Sequence, residues 1–331
     1  MKEIKISPRD EGSRLDKYLK KLLPGAAGGF LYKMLRKKNI TLNGGKAQGT
    51  EILKAGDRIC VFFSDETYAK FSGQAEKSSF PDYPLDIVYE DEDFIFVNKP
   101  CGMLTQKAAP EDVSLAEYLP GHLMATGKLT EEEMKTFRPA PMNRLDRNTS
   151  GLVLCARTRP AAAFLAEVLR EDGDDRRVSK EYLTITSGRA SDTERARVYF
   201  KKDPAENKVT VSRKPFEGAG DMVTGWRTED AREGYSLVRV RLYTGRPHQI
   251  RAHLAFAGAP VVGDRKYGDA AVNREMERAF GLRHQLLHAE RVSFSGIEGR
   301  FERLSGRTFT APLPGAFVKI MKGLKLSDHE G

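Results

Sequence analysis

Three cysteines in 331 residues, Cys60, Cys101 and Cys155, are too few and too scattered for a disulfide framework or a zinc ligand set. No apolar run approaches the roughly 18 residues that a membrane-crossing helix needs. The start, Met1-Lys2-Glu3-Ile4-Lys5, lacks the apolar core of a secretion signal. These absences fit a reducing cytoplasm with no membrane partner. The composition of a disordered chain is absent too: 40% of the residues are hydrophobic, enough for an ordinary core. The length allows one large domain or two.

What the chain does have is positive charge, unevenly placed. Of the net +9, residues 1–70 carry 15 Lys and Arg against 8 Asp and Glu, a net +7. The remaining 261 residues carry 40 against 38, a net +2. A uniformly solubilising surface does not explain that segregation, whereas an appendage for a polyanion does. In the same block Leu15, Tyr18, Leu19, Leu22 and Leu23 follow the three-and-four spacing of an amphipathic helix with lysines opposite. A second helix is expected over Phe30–Lys38, with Lys33, Arg36, Lys37 and Lys38 on its charged side. Ile40-Thr41-Leu42-Asn43-Gly44-Gly45 reads as a strand entering a tight turn, and Leu53–Ile59 leads into another strand. Two short basic helices and a small sheet over roughly residues 12 to 64 resemble the S4 RNA-binding domain. The resemblance implies an RNA-binding domain over 1–64, with Arg14, Lys17, Lys33, Arg36, Lys37 and Lys38 meeting phosphates. Residues 24 to 29 are richer in glycine than that pattern usually is.

Residues 65–82 are polar, show no sustained period and read as a linker; residues 83–331 then form the larger domain. Ile87–Glu90 and Phe94–Val97 read as strands, 107–140 as an insertion with helical pieces near Leu115–Leu123 and Thr130–Phe137, and Pro160–Arg170 as a helix. Tyr235–Leu242 alternates, with Val238, Val240 and Leu242 expected inward and Arg239 and Arg241 outward. The larger domain is therefore α+β around a long, mixed, mostly antiparallel sheet.

The stretch that carries chemistry is Asn143-Arg144-Leu145-Asp146-Arg147-Asn148-Thr149-Ser150-Gly151, which runs into the apolar Leu152-Val153-Leu154. It sets one carboxylate between two arginines in a turn-rich loop ahead of a buried strand. A neighbouring cation keeps such a carboxylate ionised, which suits a nucleophile or base, although a surface ion pair has the same local pattern. The tripeptide alone means little: Arg14-Leu15-Asp16 repeats it on a basic helix with no Thr-Ser-Gly after it.

The wider context decides. The stretch closely resembles the central motif of the pseudouridine synthases that modify large-subunit ribosomal RNA. Asn98-Lys99-Pro100-Cys101-Gly102-Met103 is similar to that family's first motif, and Lys180-Glu181-Tyr182-Leu183 to its Lys-x-Tyr segment. Thr244–His253 is similar to its third motif and Leu286-Leu287-His288-Ala289 to the last. The landmarks fall in the family's order across residues 83 to 317. Tyr267-Gly268-Asp269 and the late Leu-His-Ala point to the type C branch. Asn143 stands where members usually carry His.

The resemblance implies an RNA uridine isomerase that needs no redox cofactor, nucleotide or metal. Asp146 is its catalytic Asp, attacking the ribose C1′ or removing the C2′ proton; both roles stay open. Arg246 is the first choice for the ion-pair partner of Asp146 and Arg251 the second. Tyr182 offers a ring for the uracil and a hydroxyl for a late proton step. Arg144 fills the stack vacated by a flipped-out uridine, Leu287 walls the pocket, and Lys99 is expected at the substrate. His248, His253 and His288 lack the company a zinc site needs. The expected substrate is 23S ribosomal RNA, acted on by a monomer. The alternatives are transfer RNA, or a non-catalytic S4-type protein of ribosome assembly.

Overall fold

The computed structural model describes residues 1–72, 80–173 and 175–327. By its internal contacts the chain divides into two compact units: Met1–Phe96 with Gln106–Asn143 and Leu154–Glu167, and Val97–Thr105 with Arg144–Val153 and Val168–Gly331.

The first unit opens with β1 (Lys2–Lys5), α1 (Leu15–Leu22), α2 (Gly28–Arg36), β2 (Ile40–Leu42), β3 (Gly45–Lys46) and β4 (Arg58–Val61). The sheet order is β1-β4-β2-β3, antiparallel throughout. Asn43 and Gly44 join β2 to β3 with positive φ at both, as a two-residue hairpin turn requires. The helical spacing of α1 brings Leu15, Tyr18, Leu19 and Leu22 to one side. Together with Leu31, Met34 and Leu35 of α2 they bury against Ile40, Ile59 and Val61. The stretch expected as a linker begins instead with a helix, α3 (Asp65–Ser72), whose Tyr68 and Phe71 pack on this core; the Phe71 and Phe30 ring centroids lie 4.7 Å apart. Two aromatics on one short helix anchor it without a repeating apolar pattern. The rest of that expected linker, 73–79, lies outside the described residues.

Next come β5 (Ile87–Glu90), β6 (Phe94–Lys99), α4 (Leu115–Ala125), α5 (Glu131–Thr136), β7 (Ala140–Pro141), β8 (Ser150–Ala156) and α6 (Arg159–Val168). The N-terminal block shares its unit with the 107–140 insertion. Arg9 pairs with Glu133 at 2.8 Å, and the Lys21 ammonium donates to the Thr136 carbonyl at 2.9 Å.

The second unit adds β9 (Val178–Ser187), β10 (Thr193–Asp203), β11 (Lys208–Ser212), β12 (Gly220–Arg232), β13 (Tyr235–Leu242) and α7 (Gln249–Phe256). It ends with α8 (Ala270–Phe280), β14 (Leu287–Phe294), β15 (Thr308–Thr310) and α9 (Gly315–Gly323). Its strands run in the order β11-β10-β12-β13-β9-β14-β8. All neighbours are antiparallel except β14 and β8, which pair in parallel at His288/Ser150 and Ala289/Gly151. The fold is thus α+β on a long, mostly antiparallel sheet, as the sequence indicates.

Register determines what the sheet presents. Tyr182 lies opposite Val240 on one side and Ala289 on the other, and Thr184 opposite Val238 and Leu287. Because side chains alternate between faces, Tyr182, Thr184, Val238, Val240, Leu287 and Ala289 share one face. The opposite face sends Leu183, Ile185 and Leu237 into a core with Met276 of α8 and Phe317 and Ile320 of α9. Arg239, expected to point to solvent, is buried on that face. Its guanidinium pairs with Glu229 at 2.8 Å and with Glu290, so a charge is enclosed only because two carboxylates enclose it too. Among the described residues no helix is long and apolar enough to cross a membrane.

Candidate active site

The loop that carries Asp146 is fastened at several points. At its start, the Asn143 carboxamide oxygen accepts the Leu154 amide N–H at 2.7 Å. Asn143 thereby ties the loop's entry to β8. Leu145 is turned inward, and its backbone N–H and carbonyl both bond the buried Thr105 hydroxyl, at 3.1 and 3.0 Å. Arg144 and Arg147, on either side of the inward pair, are exposed. The Thr149 N–H returns to the Asp146 carbonyl at 3.0 Å, closing the turn.

The loop's exit is held by the sequence landmarks that lie far from it in the chain. The Ser150 hydroxyl bonds Nδ1 of His288 at 2.9 Å, and Nε2 of His288 faces the Ala311 carbonyl at 3.2 Å. That pairing assigns the tautomer: Nε2–H donates to the carbonyl and Nδ1 accepts from the hydroxyl. Burial lowers the His288 pKa to about 4, so the ring stays neutral. Gly151 sits at φ 110° against β14, where a Cβ would come 2.2 Å from the Ala289 carbonyl oxygen. The close approach of β8 to β14 admits no side chain there.

Lys99 is not placed as expected. It is fully buried, with its ammonium donating to the carbonyls of Met103 at 2.8 Å, Pro100 at 2.9 Å and Arg147 at 3.2 Å. An ammonium with three acceptors around it and no exposed surface holds the loops together; it has no face left for a substrate. Burial lowers its pKa to about 8, while the Cys101 and Asp146 charges act the other way.

The ion-pair partner of Asp146 is Arg251. Nη1 of Arg251 donates to Oδ2 of Asp146 at 2.7 Å; the Arg251 side chain is 8% exposed and that of Asp146 33%. Burial opposes the Arg251 charge, but Asp264 and then Asp146 outweigh it and raise the pKa above the ordinary arginine range. Arg246, the first choice from sequence, lies elsewhere. Its Nε donates to the Asp221 carbonyl at 3.1 Å and its Nη2 meets Asp172 at 3.3 Å. The reason is local geometry: Arg246 belongs to the turn before α7, where Gln249 accepts its backbone N–H at 3.0 Å. Arg251 lies on α7 itself.

Tyr182 is 7% exposed and near enough to Asp146 to feel its charge. Burial, then the Asp146 carboxylate, pushes its hydroxyl well above the usual tyrosine range. It therefore remains a neutral phenol at physiological pH. Leu287, buried on the same sheet face one residue pair further along, forms an apolar neighbour. The histidines are committed to other partners. His248 bonds the Tyr267 hydroxyl at 2.9 Å, and His253 packs edge-on to Trp226 with the Thr224 hydroxyl at 3.1 Å. Burial lowers the His253 pKa to about 4.

In the N-terminal block Lys17, Lys33, Arg36, Lys37 and Lys38 are exposed. Arg14 is also exposed but bonds Asp16 through Nε at 2.7 Å, and Asp16 accepts the Tyr32 hydroxyl at 2.8 Å. The first Arg-Leu-Asp tripeptide thus closes on itself, while the second directs its Asp to an arginine 105 residues away. Sequence reasoning missed Thr105 and Asp264 altogether, and used Tyr267 only as a branch marker.

Known proteins resemble this chain in sequence and in fold. The profile of the RNA pseudouridylate synthase family matches residues 93–256. Ribosomal large subunit pseudouridine synthase C of Pasteurella multocida is 30% identical over 98% of this chain and 94% of its own length. Ribosomal large subunit pseudouridine synthase D of Neisseria meningitidis is 31% identical over 95% of this chain and 79% of its own. Among solved structures, human RNA pseudouridylate synthase domain containing 4 superposes with a TM-score of 0.56 at 23% identity, over 73% of this chain and 94% of its own. That likeness speaks for the fold. The chain belongs to the RNA pseudouridylate synthase family, and it is an RNA pseudouridine synthase.

Proposed function

We propose that this enzyme converts specific uridines of 23S ribosomal RNA to pseudouridine, with Asp146 as the reacting carboxylate. The reaction breaks the bond from uracil N1 to the ribose C1′, turns the base, and joins C5 to C1′. C5 gives up its proton and N1 gains one. The observation that carries the reading is the Arg251–Asp146 contact at 2.7 Å, with the Asp146 charge felt at Tyr182. A carboxylate that accepts a hydrogen bond from a fixed guanidinium is held in one orientation, as attack on C1′ or abstraction of the C2′ proton requires.

A uridine paired in folded RNA reaches such a carboxylate only by leaving its stack. The exposed Arg144, two residues before Asp146, has the planar cation to fill the gap. The extruded uracil then lies against the Tyr182 ring and the Leu287 side chain. A phenol held above its usual range is a poor base at neutral pH. Tyr182 accordingly acts through its ring, with its O–H available as a donor while the base turns. Lys17, Lys33, Arg36, Lys37 and Lys38 hold the RNA through phosphates in an S4-like manner. The names of the Pasteurella and Neisseria relatives favour the large ribosomal subunit over transfer RNA.

Mapping pseudouridine in cellular RNA with and without the gene tests the substrate. Loss of sites confined to 23S ribosomal RNA is expected; loss confined to transfer RNA would replace the substrate, and no loss anywhere would remove the reading.

A further inference from the structure

Arg251 has two carboxylate partners, and the one that reacts is the lesser of them. Its Nε donates to Oδ2 of Asp264 at 2.6 Å and its Nη2 to Oδ1 at 2.9 Å, a two-pronged pair; only Nη1 is left for Asp146. Asp264 is wholly buried. Its Oδ1 also accepts the backbone N–H groups of Lys266 at 2.8 Å and Tyr267 at 3.1 Å. The turn that carries it closes through the Gly268 N–H on the Asp264 carbonyl at 2.9 Å. A Cβ at Gly268 would come 2.3 Å from that oxygen, so the turn is tight enough to require glycine. Tyr267, on the same turn, places its ring 5.3 Å from the Arg251 guanidinium carbon. Its hydroxyl accepts the Val209 N–H at 2.7 Å and bonds His248 at 2.9 Å.

We propose that Asp264 and Tyr267 are positioning residues: they form a rigid seat that aims the free Nη1 of Arg251 at Asp146. The inference rests on Asp146 being the reacting carboxylate. A guanidinium gripped along one edge by a fixed carboxylate, with an aromatic ring beside it, cannot swivel; its remaining N–H points where the plane dictates. Asp146 sits on a loop and is a third exposed, so without the seat Arg251 would follow Asp146 and not fix it. The second carboxylate also balances the guanidinium. Asp146 then receives a directed hydrogen bond while the three groups together keep one negative charge. This accounts for Asp264, Tyr267 and Gly268, to which no step of the reaction gives a part.

A double-variant cycle tests the proposal by release of tritium from RNA labelled at uridine C5, isolated from cells lacking the enzyme. Asp264→Asn keeps shape but loses the charged grip. We expect the single-turnover rate to fall by about 10- to 100-fold, the scale of loss for a small misplacement of a reacting group, with RNA affinity unchanged. Arg251→Met should cost at least as much, and Asp264→Asn added to it should cost nothing further. Tyr267→Phe should retain most of the rate and Tyr267→Leu should not. The urea midpoint supplies an arm independent of activity: Arg251→Met leaves a buried carboxylate unpaired, and adding Asp264→Asn should recover stability. Losses that multiply in the double variant, or a wild-type rate for Asp264→Asn, would overturn the assignment. An inactive wild type on that RNA would instead overturn the isomerase reading, leaving the stability arm to decide whether the seat exists.

Discussion

Acidification should weaken this enzyme through His288, the ring that ties the exit of the Asp146 loop to β14. The imidazole is buried with a pKa lowered to about 4, against an unfolded value near 6.5. Between those values the unfolded chain binds a proton that the folded chain refuses. Stability is therefore fully present above pH 6.5 and is lost as pH falls toward 4. A shift of that size corresponds to about 3 kcal/mol in all, of which about 2 kcal/mol is gone at pH 5. His288→Gln preserves an acceptor for Ser150 and a donor for the Ala311 carbonyl but does not titrate. Urea unfolding of wild type and His288→Gln at pH 7.5, 6 and 5 isolates the term, because His253 and the carboxylates contribute equally to both. The wild type should lose about 2 kcal/mol more than the variant between pH 7.5 and 5. Parallel curves would refute the reasoning, since they would mean that His288 is protonated as readily folded as unfolded.

Lys99→Met should destabilise the protein by roughly 2–5 kcal/mol, because relief of ammonium burial does not offset three carbonyls that lose a charged donor; a urea midpoint equal to wild type would contradict that. Reversing Lys33, Arg36 and Lys37 to Glu should weaken RNA binding at low salt and flatten its salt dependence, and an unchanged slope in a titration from 50 to about 200 mM salt would show that α2 does not meet phosphates. Tyr182→Phe should retain more single-turnover activity than Tyr182→Ala if the ring carries the function; equal losses would make the hydroxyl essential.

Elements whose burial repeats along the chain were legible in the sequence. The all-apolar run Phe94–Val97 and the three-and-four pattern of α1 sit where a core requires them, and both are found there. Helix α3 was not legible because Tyr68 and Phe71 alone dock it. Arg239 misled for the reverse reason: strict alternation implies one solvent face, but the second face of β13 is closed by Leu237's core and by the carboxylates of Glu229 and the buried Glu290. In the site, the company of distant motifs singled out Asp146, and the structure brings Arg251 to its carboxylate. The choice between Arg246 and Arg251 was not, since five residues separate them and only the start of α7 decides which is carried by the helix. Lys99 likewise reads as a substrate contact until three carbonyls from separate backbone positions converge on it.

If Asp146 does the chemistry, the loop around it serves to hold that carboxylate in place. The direct test is Asp146→Asn, assayed side by side for pseudouridine formation and for RNA affinity. Turnover should fall below detection with binding within about 2-fold of wild type, since the side chain keeps its shape and loses only its charge. Turnover close to wild type would contradict it.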